Sequence, residues 1–327
     1  MTAILGIDFG GTSLRAAVVD PLTGQVGRLF RAATPAREGP QAVINVITDL
    51  ALQALATCAP DEAPRSAGIG CPAFVDLERG RLLNVPNVAG DWPEVPLAEI
   101  LAEKIGMPVF PINDVRAITL GEFTFGAGRG ANNLACYAVG TGIGGGVILN
   151  GRLHLGISGS AGELGHQVID RNGTMCNCGN RGCLETLASG PAISAQAAQA
   201  VIQRRPTLIA SLVEQDLNRI DPGVVAQAAH MGDAVAGAIW EWAGEAIGIA
   251  VVNTLVTLSP DRVLIGGGVA EAAGDLLLDP IRRTVCERSF MTPVERVEIL
   301  PTELGDQAGL LGTALWAHQQ AASKNQD

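Results

Sequence analysis

Apolar and polar positions along the chain fall into blocks whose period changes. Ile4-Leu-Gly-Ile-Asp8 is a short apolar run that breaks at glycines and resumes through Leu14 to Asp20, which predicts strand, glycine turn, strand. From Gly39 to Ala59 the spacing becomes helical, with Val43, Ile44, Ile47, Leu50, Leu52 and Leu55 on an apolar face. Ala67 to Cys71 predicts a buried strand ending at Pro72, and Asn84 to Trp92 predicts a loop rich in turn formers. Met107 to Asp114 predicts a strand that delivers Asn113 and Asp114 at its end, followed by a helix over Val115–Glu122.

The N-terminal logic then recurs. Asn133 to Leu149 again predicts strand, glycine turn, strand, and leads to an Asn150-Gly151 hairpin turn. Gly142, Gly144 and the glycines after them loosely meet a dinucleotide-binding spacing, but such a turn should open a helix, not a strand. A hairpin that grips phosphate is the better reading. Ser189 to Gly274 is mostly helical in pattern, with a new helix at Asp221-Pro222 and a strand with a third glycine turn over Asp261–Val269. Leu304 to Ala317 predicts a helix that returns to the first domain, and the tail from Ser323 predicts fraying. Two glycine hairpins, near residues 10 and 142, each open an α/β unit.

Composition narrows the class. With 327 residues, 47% apolar and 17% charged, the chain can form two domains with substantial cores. A net charge of −11 and only 4% aromatics argue against nonspecific nucleic-acid binding. No secretory signal is visible after Met1, and Ala246–Leu258, with Gly248, Asn253 and Thr254, predicts a buried helix instead of a membrane span. Seven cysteines, three of them clustered, fit a reducing cytoplasm, and Cys58, Cys71, Cys136 and Cys286 are most simply small core residues.

Candidate chemistry sits at the turns. Gly10 and Gly11 let the backbone approach an anion, Thr12 and Ser13 add donors, and Asp8 is placed to hold magnesium directly or through water. An ordinary β-turn is the plain alternative. Gly140, Thr141 and Gly142 offer amides to phosphate in the same way. Asp114 is either a base at a strand's C-terminal end or the cap of the helix it opens. His166, Cys176, Cys178 and Cys183 suit one closed tetrahedral zinc site, the alternative being a chance group of buried thiols. A zinc there would hold Glu163 and Glu185, at the two ends of the cluster, in fixed positions.

The run Glu163-Leu-Gly-His166 with Cys176-Asn-Cys178-Gly-Asn-Arg-Gly-Cys183-Leu-Glu185 resembles the signature of the ROK family of sugar kinases and related repressors. The resemblance spans nearly the whole chain. It implies an α/β protein of the actin-like ATPase (ribonuclease H-like) fold, with two domains flanking a cleft. The expected division is 1–115, joined by a C-terminal helix over 305–327, and 116–304 with the zinc motif. It also implies ATP-dependent phosphorylation of a hexose, glucose first, with Asp114 as general base, since Asn113 to Glu122 matches the family's catalytic segment. The sugar would be bound by Asn87, Asn113, Asp114, Glu163, His166 and Glu185. Asn87 lies in a segment that borders the family's sugar pocket, though a turn-capping asparagine is equally consistent, and His166 could serve zinc or sugar. ATP and Mg²⁺ would be held by Asp8, Gly10, Gly11, Thr12, Arg15, Gly140, Thr141, Gly142, Gly267 and Gly268, the last two in the family's adenosine segment. The family usually has a small or amide residue where Arg116 stands; this arginine either edges the pocket or, more simply, is exposed on its helix. Other family substrates are N-acetylglucosamine, N-acetylmannosamine, fructose and allose. A homodimer or homotetramer is expected. A sugar-responsive repressor would need a DNA-binding domain for which the sequence shows no room, and an actin-like filament or chaperone ATPase would leave the cysteines unexplained.

Overall fold

The computed structural model describes residues 3–59, 61–85, 88–90, 92 and 94–324. The chain opens with β1 (Ile4–Phe9), β2 (Ser13–Val19) and β3 (Phe30–Ala33), then α1 (Pro40–Leu55) and β4 (Ala67–Cys71). A small β5–β6 ribbon (Phe74–Asp76 and Arg81–Asn84) and α2 (Leu97–Ile105) lead to β7 (Val109–Asn113) and α3 (Asp114–Phe125). The second half begins with β8 (Leu134–Val139), β9 (Ile143–Leu149) and β10 (Arg152–Leu153). Helices α4 (Glu185–Ala188), α5 (Gly190–Ile202), α6 (Ile209–Leu212), α7 (Pro222–His230) and α8 (Ala234–Leu258) follow. After them come β11 (Arg262–Gly266), α9 (Gly268–Ala273), α10 (Asp275–Arg288), β12 (Glu298–Pro301) and α11 (Ala308–Lys324).

The two halves share one topology. The first sheet has the order β3-β2-β1-β4-β7 and the second β10-β9-β8-β11-β12. In each, a glycine hairpin pairs antiparallel and two further strands join parallel to its first strand. The internal repeat expected from the two hairpins is therefore a repeat of sheet order.

By its contacts the chain forms two compact units: Met1–Gly130 with Leu153–Ala161 and Glu303–Asp327, and Ala131–Arg152 with Gly162–Thr302. The sequence boundary after residue 115 would cut α3 just behind its second residue. The helix instead stays whole in the first unit because α11 lies directly on it. A Cβ on Gly312 would overlap the Ala117 carbonyl, and one on Gly121 the Ala308 carbonyl, so the two backbones touch only because both residues are glycine. Leu153–Ala161 also belongs to this unit, held by Arg116. That side chain is 3% exposed, not on the surface, and its Nε and Nη2 donate to the Ala161 carbonyl at 3.0 and 2.8 Å.

Each unit has its own core. In the first, Leu5, Ile7, Phe9 and Leu14 pack with Ile47, Leu101 and Trp92, and a second cluster sets Leu311 and Ala314 of α11 with Ile4, Ile112 and Ala117. In the second, Tyr137, Ile193, Trp240, Ile247 and Ile281 pack together. Among the described residues α8 is the one helix long and apolar enough to cross a membrane. It runs instead between α10, α5, α7 and α4, the environment that an all-round apolar helix needs. The C-terminal helix starts at Ala308, after a 3-10 turn at Gly305–Gln307, somewhat later than its apolar pattern begins.

Candidate active site and cysteine cluster

In the first unit the C-terminal ends of three neighbouring parallel strands gather Asp8, Asn113 and Asp114. Register pairs Asp8 with Gly70 and Cys71 with Asn113 across β1, β4 and β7. This is the edge where α/β sheets bind ligands. Asn113, not Asp114, is the N-cap of α3: its Oδ1 accepts from the Val115 and Arg116 amides at 3.1 and 3.2 Å, while its Nδ2 donates to the Ala73 carbonyl. Asp114 is the first helical residue, one position earlier than the sequence pattern starts the helix, and its Oδ1 accepts from the Val115 amide at 2.9 Å. The cap role that competed with catalysis for Asp114 thus falls to its neighbour. Asn113, in turn, has its amide engaged with backbone.

Asp8 is nearly buried, and burial raises its carboxyl above the usual range despite the Arg15 guanidinium beside it. Arg15 Nη1 donates to Asp8 Oδ2 at 2.8 Å, leaving Oδ1 to face a cation or its water. A single carboxylate oxygen at a strand end suits a hard cation that keeps most of its own water. Cys71 lies within reach of both Asp8 and Asp114. Burial pushes its thiol well up and the two carboxylates add to the shift, so it is an inert core thiol. Gly10, Gly11 and Thr12 form the β1–β2 turn, closed by the Gly10 amide on the Ser13 carbonyl at 3.0 Å. Nothing lies within 4 Å of where a Gly11 Cβ would stand.

In the second unit, Gly140, Thr141 and Gly142 form the β8–β9 turn, with the Gly140 amide on the Gly142 carbonyl. Two segments converge on the residue after it. Glu185, which opens α4, accepts from the Ile143 amide at 2.9 Å. The Glu163-Leu-Gly-His166 stretch, a 3-10 turn over Leu164–His166, presses Gly165 against the Ile143 carbonyl, where a Cβ would overlap. Glu163, His166 and Glu185 are thus brought to the start of β9. Asn87 lies outside the described residues.

The ligand atoms of His166, Cys176, Cys178 and Cys183 lie within 4.8 Å of one another. Cys178 Sγ is 3.7 Å from Cys183 Sγ, and Cys176 Sγ is 3.6 Å from His166 Nδ1. With bonds of about 2.3 Å, a tetrahedral zinc would set its ligands roughly 3.5–4 Å apart, so the donor set fits. Gly182 makes the fold of this knuckle possible: at φ 67°, its absent Cβ would overlap the Asp170 carbonyl. Burial pushes the Cys183 thiol up to about 12, while the Asn180 amide lowers Cys178. A bound cation would reverse the first shift by favouring thiolate. Because Nδ1 faces the sulfurs, Nε2 points to the other side of the ring, so one imidazole can serve both of its candidate roles.

A pocket of about 500 Å³ opens in the second unit where the starts of α5, α7 and α9 meet the β8–β9 turn. Thr141, Ser194, Asp221, Gly223 and Gly268 are among its lining residues. Gly267, at φ 88°, lies directly over the Val139 backbone and turns the chain into α9. The α5 and α7 contributions escaped sequence reasoning. Their only local signals were Gly190-Pro191 and Asp221-Pro222, ordinary helix starts. Glu122 also escaped it. Fully buried, its carboxylate accepts from the amides of Ala127, Glu303 and Leu304, which fastens the returning chain to α3.

The sequence matches the ROK family model over residues 4–320. It is 36% identical to a glucokinase of Thermotoga maritima, with 95% of this chain and 96% of that protein aligned. A xylose repressor of Caldicellulosiruptor bescii is 31% identical over 95% of this chain, which accounts for 76% of the repressor. A ROK glucokinase of Streptomyces griseus, solved with glucose and AMPPNP, superposes with a TM-score of 0.81 at 32% identity, covering 97% of this chain and 99% of that one.

Proposed function

Since the chain belongs to the ROK family and has its actin-like ATPase fold, we propose that it is an ATP-dependent hexokinase acting on glucose. The observation that carries the reading is the placement of Asp8 at the end of β1 and of Asp114 just past the end of β7, where Asn113 supplies the cap of α3. Glucokinase relatives that align over nearly their whole length, one of them solved with glucose and an ATP analogue, support the substrate pair.

Asp114 accepts the proton of the attacking sugar hydroxyl, at the 6-position. Glu163, Glu185 and the His166 Nε2 take hydrogen bonds with the remaining hydroxyls, and a pocket that pairs every hydroxyl rejects sugars that leave one unpaired. The Gly10–Thr12 and Gly140–Gly142 amides bind the donor's phosphates, and the α5–α7–α9 pocket takes the adenosine. Asp8 would hold magnesium, which when bound would neutralise charge on the phosphates. His166, Cys176, Cys178 and Cys183 would hold a zinc that supports the turn carrying Glu163 and His166.

A coupled assay for ADP release tests the substrate. With ATP and Mg²⁺, glucose is expected to give the highest kcat/KM among glucose, fructose, allose, N-acetylglucosamine and N-acetylmannosamine. A higher value for an N-acetylhexosamine would replace the sugar and keep the mechanism.

A further inference from the structure

Around the first glycine hairpin, charged side chains alternate in sign. Register sets Asp8 opposite Arg15 on β2, and Arg15 opposite Arg31 on β3. Asp306 enters this row from the 3-10 turn at Gly305–Gln307. Arg15 Nη1 donates to Asp8 at 2.8 Å and Nη2 to Asp306 Oδ1 at 2.5 Å. The other Asp306 oxygen is 3.6 Å from Arg31, whose Nε donates to Ser13 Oγ at 2.9 Å. The Ser13 carbonyl in turn closes the hairpin on the Gly10 amide. Side-chain exposure rises along the row, from 11% at Asp8 and 15% at Arg15 to 59% at Asp306.

This geometry sets up a competition. Asp8 Oδ2 is engaged by Arg15, and any cation at Asp8 must share the carboxylate with that guanidinium. A guanidinium gripped by two carboxylates is held less strongly by each, because each partner takes part of its charge. The row of Asp8, Arg15, Asp306 and Arg31 is neutral only while Asp306 is present; without it two arginines outweigh one aspartate beside the phosphate turn. The location of Asp306 is fixed from a distance: Glu122 on α3 binds the Glu303 and Leu304 amides, three and two residues ahead of it.

We propose that Asp306 is a positioning residue for the phosphoryl donor. It draws Arg15 partly off Asp8, keeping that carboxylate available to magnesium, and it offsets the positive charge of Arg15 and Arg31 next to the phosphates. The inference rests on the phosphotransferase reading and assigns it a residue that no motif marks. It makes two effects of opposite sign. Losing the Asp306 charge should strengthen metal-free nucleotide binding and at the same time weaken the site's hold on magnesium. Simple loss of structure would weaken both.

Calorimetric titration of ADP, with and without Mg²⁺, separates these cases. Asp306→Asn is expected to bind metal-free ADP about two- to fivefold more tightly, the scale of one partly exposed charge. It should also need several times more Mg²⁺ for half-saturation at fixed ADP. Asp306→Glu should restore wild-type values for both. Arg31→Gln, which leaves the row one charge negative, should move both quantities the other way, and it carries the test if Asp306→Asn does not fold. Variants that change neither quantity, or weaken both together, would overturn the role of Asp306. A wild-type protein that binds no ADP would instead overturn the phosphotransferase reading beneath it.

Discussion

The two glycine hairpins are the same device in different settings. Both join an antiparallel pair at the start of a five-stranded sheet of identical order. The β1–β2 hairpin carries its own charges, Asp8 and Arg15 facing each other across the pair. The β8–β9 hairpin has no charged residue in either strand, and its carboxylate arrives from outside, from Glu185 onto the Ile143 amide. A duplicated scaffold has thus been divided by function. On the proposed reading, one copy would handle cation and charge, and the other would offer bare amides and anchor Glu185 and the Glu163–His166 turn for the sugar.

Breaking the second copy should have the largest effect, because its carboxylate depends on the cysteine knuckle. Elemental analysis should give about one zinc per chain. Cys183→Ser should lose most of that zinc, lower the Tm by roughly 5–10 °C and abolish detectable turnover. Full activity with no metal would separate the cluster from the site.

Alanine at matched glycines sharpens the contrast further. A Cβ on Gly142 would collide with the Glu185 carboxylate, whereas one on Gly11 meets no protein atom. Gly142→Ala should therefore displace Glu185 and raise the KM for both sugar and ATP by about tenfold, a loss of about 1.4 kcal/mol. Gly11→Ala should leave the Tm unchanged and raise the KM for ATP alone. Equal effects on sugar binding from the two variants would contradict the division of roles.

Arg116 tests the first unit's frame. Arg116→Gln removes both bonds to the Ala161 carbonyl from a buried position and should cost about 1–3 kcal/mol in urea unfolding. An effect confined to alkaline pH concerns the second unit's core. Tyr137, the chain's single tyrosine, is bonded to the Ala250 carbonyl and to Thr254, and burial pushes it up to about 12. An unfolded phenol ionises near pH 10, so between there and about 12 the folded state holds the extra proton. Stability should therefore fall as pH rises through that window, by up to about 1.4 kcal/mol per unit, and the fall should vanish in Tyr137→Phe. Native phenolate absorbance appearing near pH 10 would contradict the burial.

The features legible in the sequence are those carried by local pattern. Both hairpins, the strand delivering Asn113 and Asp114, and the spacing of His166 with the three cysteines depend on neighbours in the chain. What escaped depends on distant partners. Arg116 looks like a surface residue because its acceptor, Ala161, lies 45 positions away. Asp306 and Glu122 look like ordinary helix-end acids because their partners are 291 and 181 residues distant. The observed division differs from the expected boundary for a related reason: α3 packs on α11, through Gly121 and Gly312 and through Ala117 and Leu120 against Leu311 and Ala314, which joins segments far apart in the chain.

Whether Asp114 is the base of a sugar phosphotransferase is decided by steady-state kinetics of Asp114→Asn with ATP, Mg²⁺ and glucose. Asparagine keeps the size and the Oδ1 acceptor for the Val115 amide, so the fold and the binding of ADP should persist. The account predicts a fall in kcat of about 10²–10⁴-fold with the KM for glucose changed by only a few fold. Turnover within threefold of wild type would contradict it.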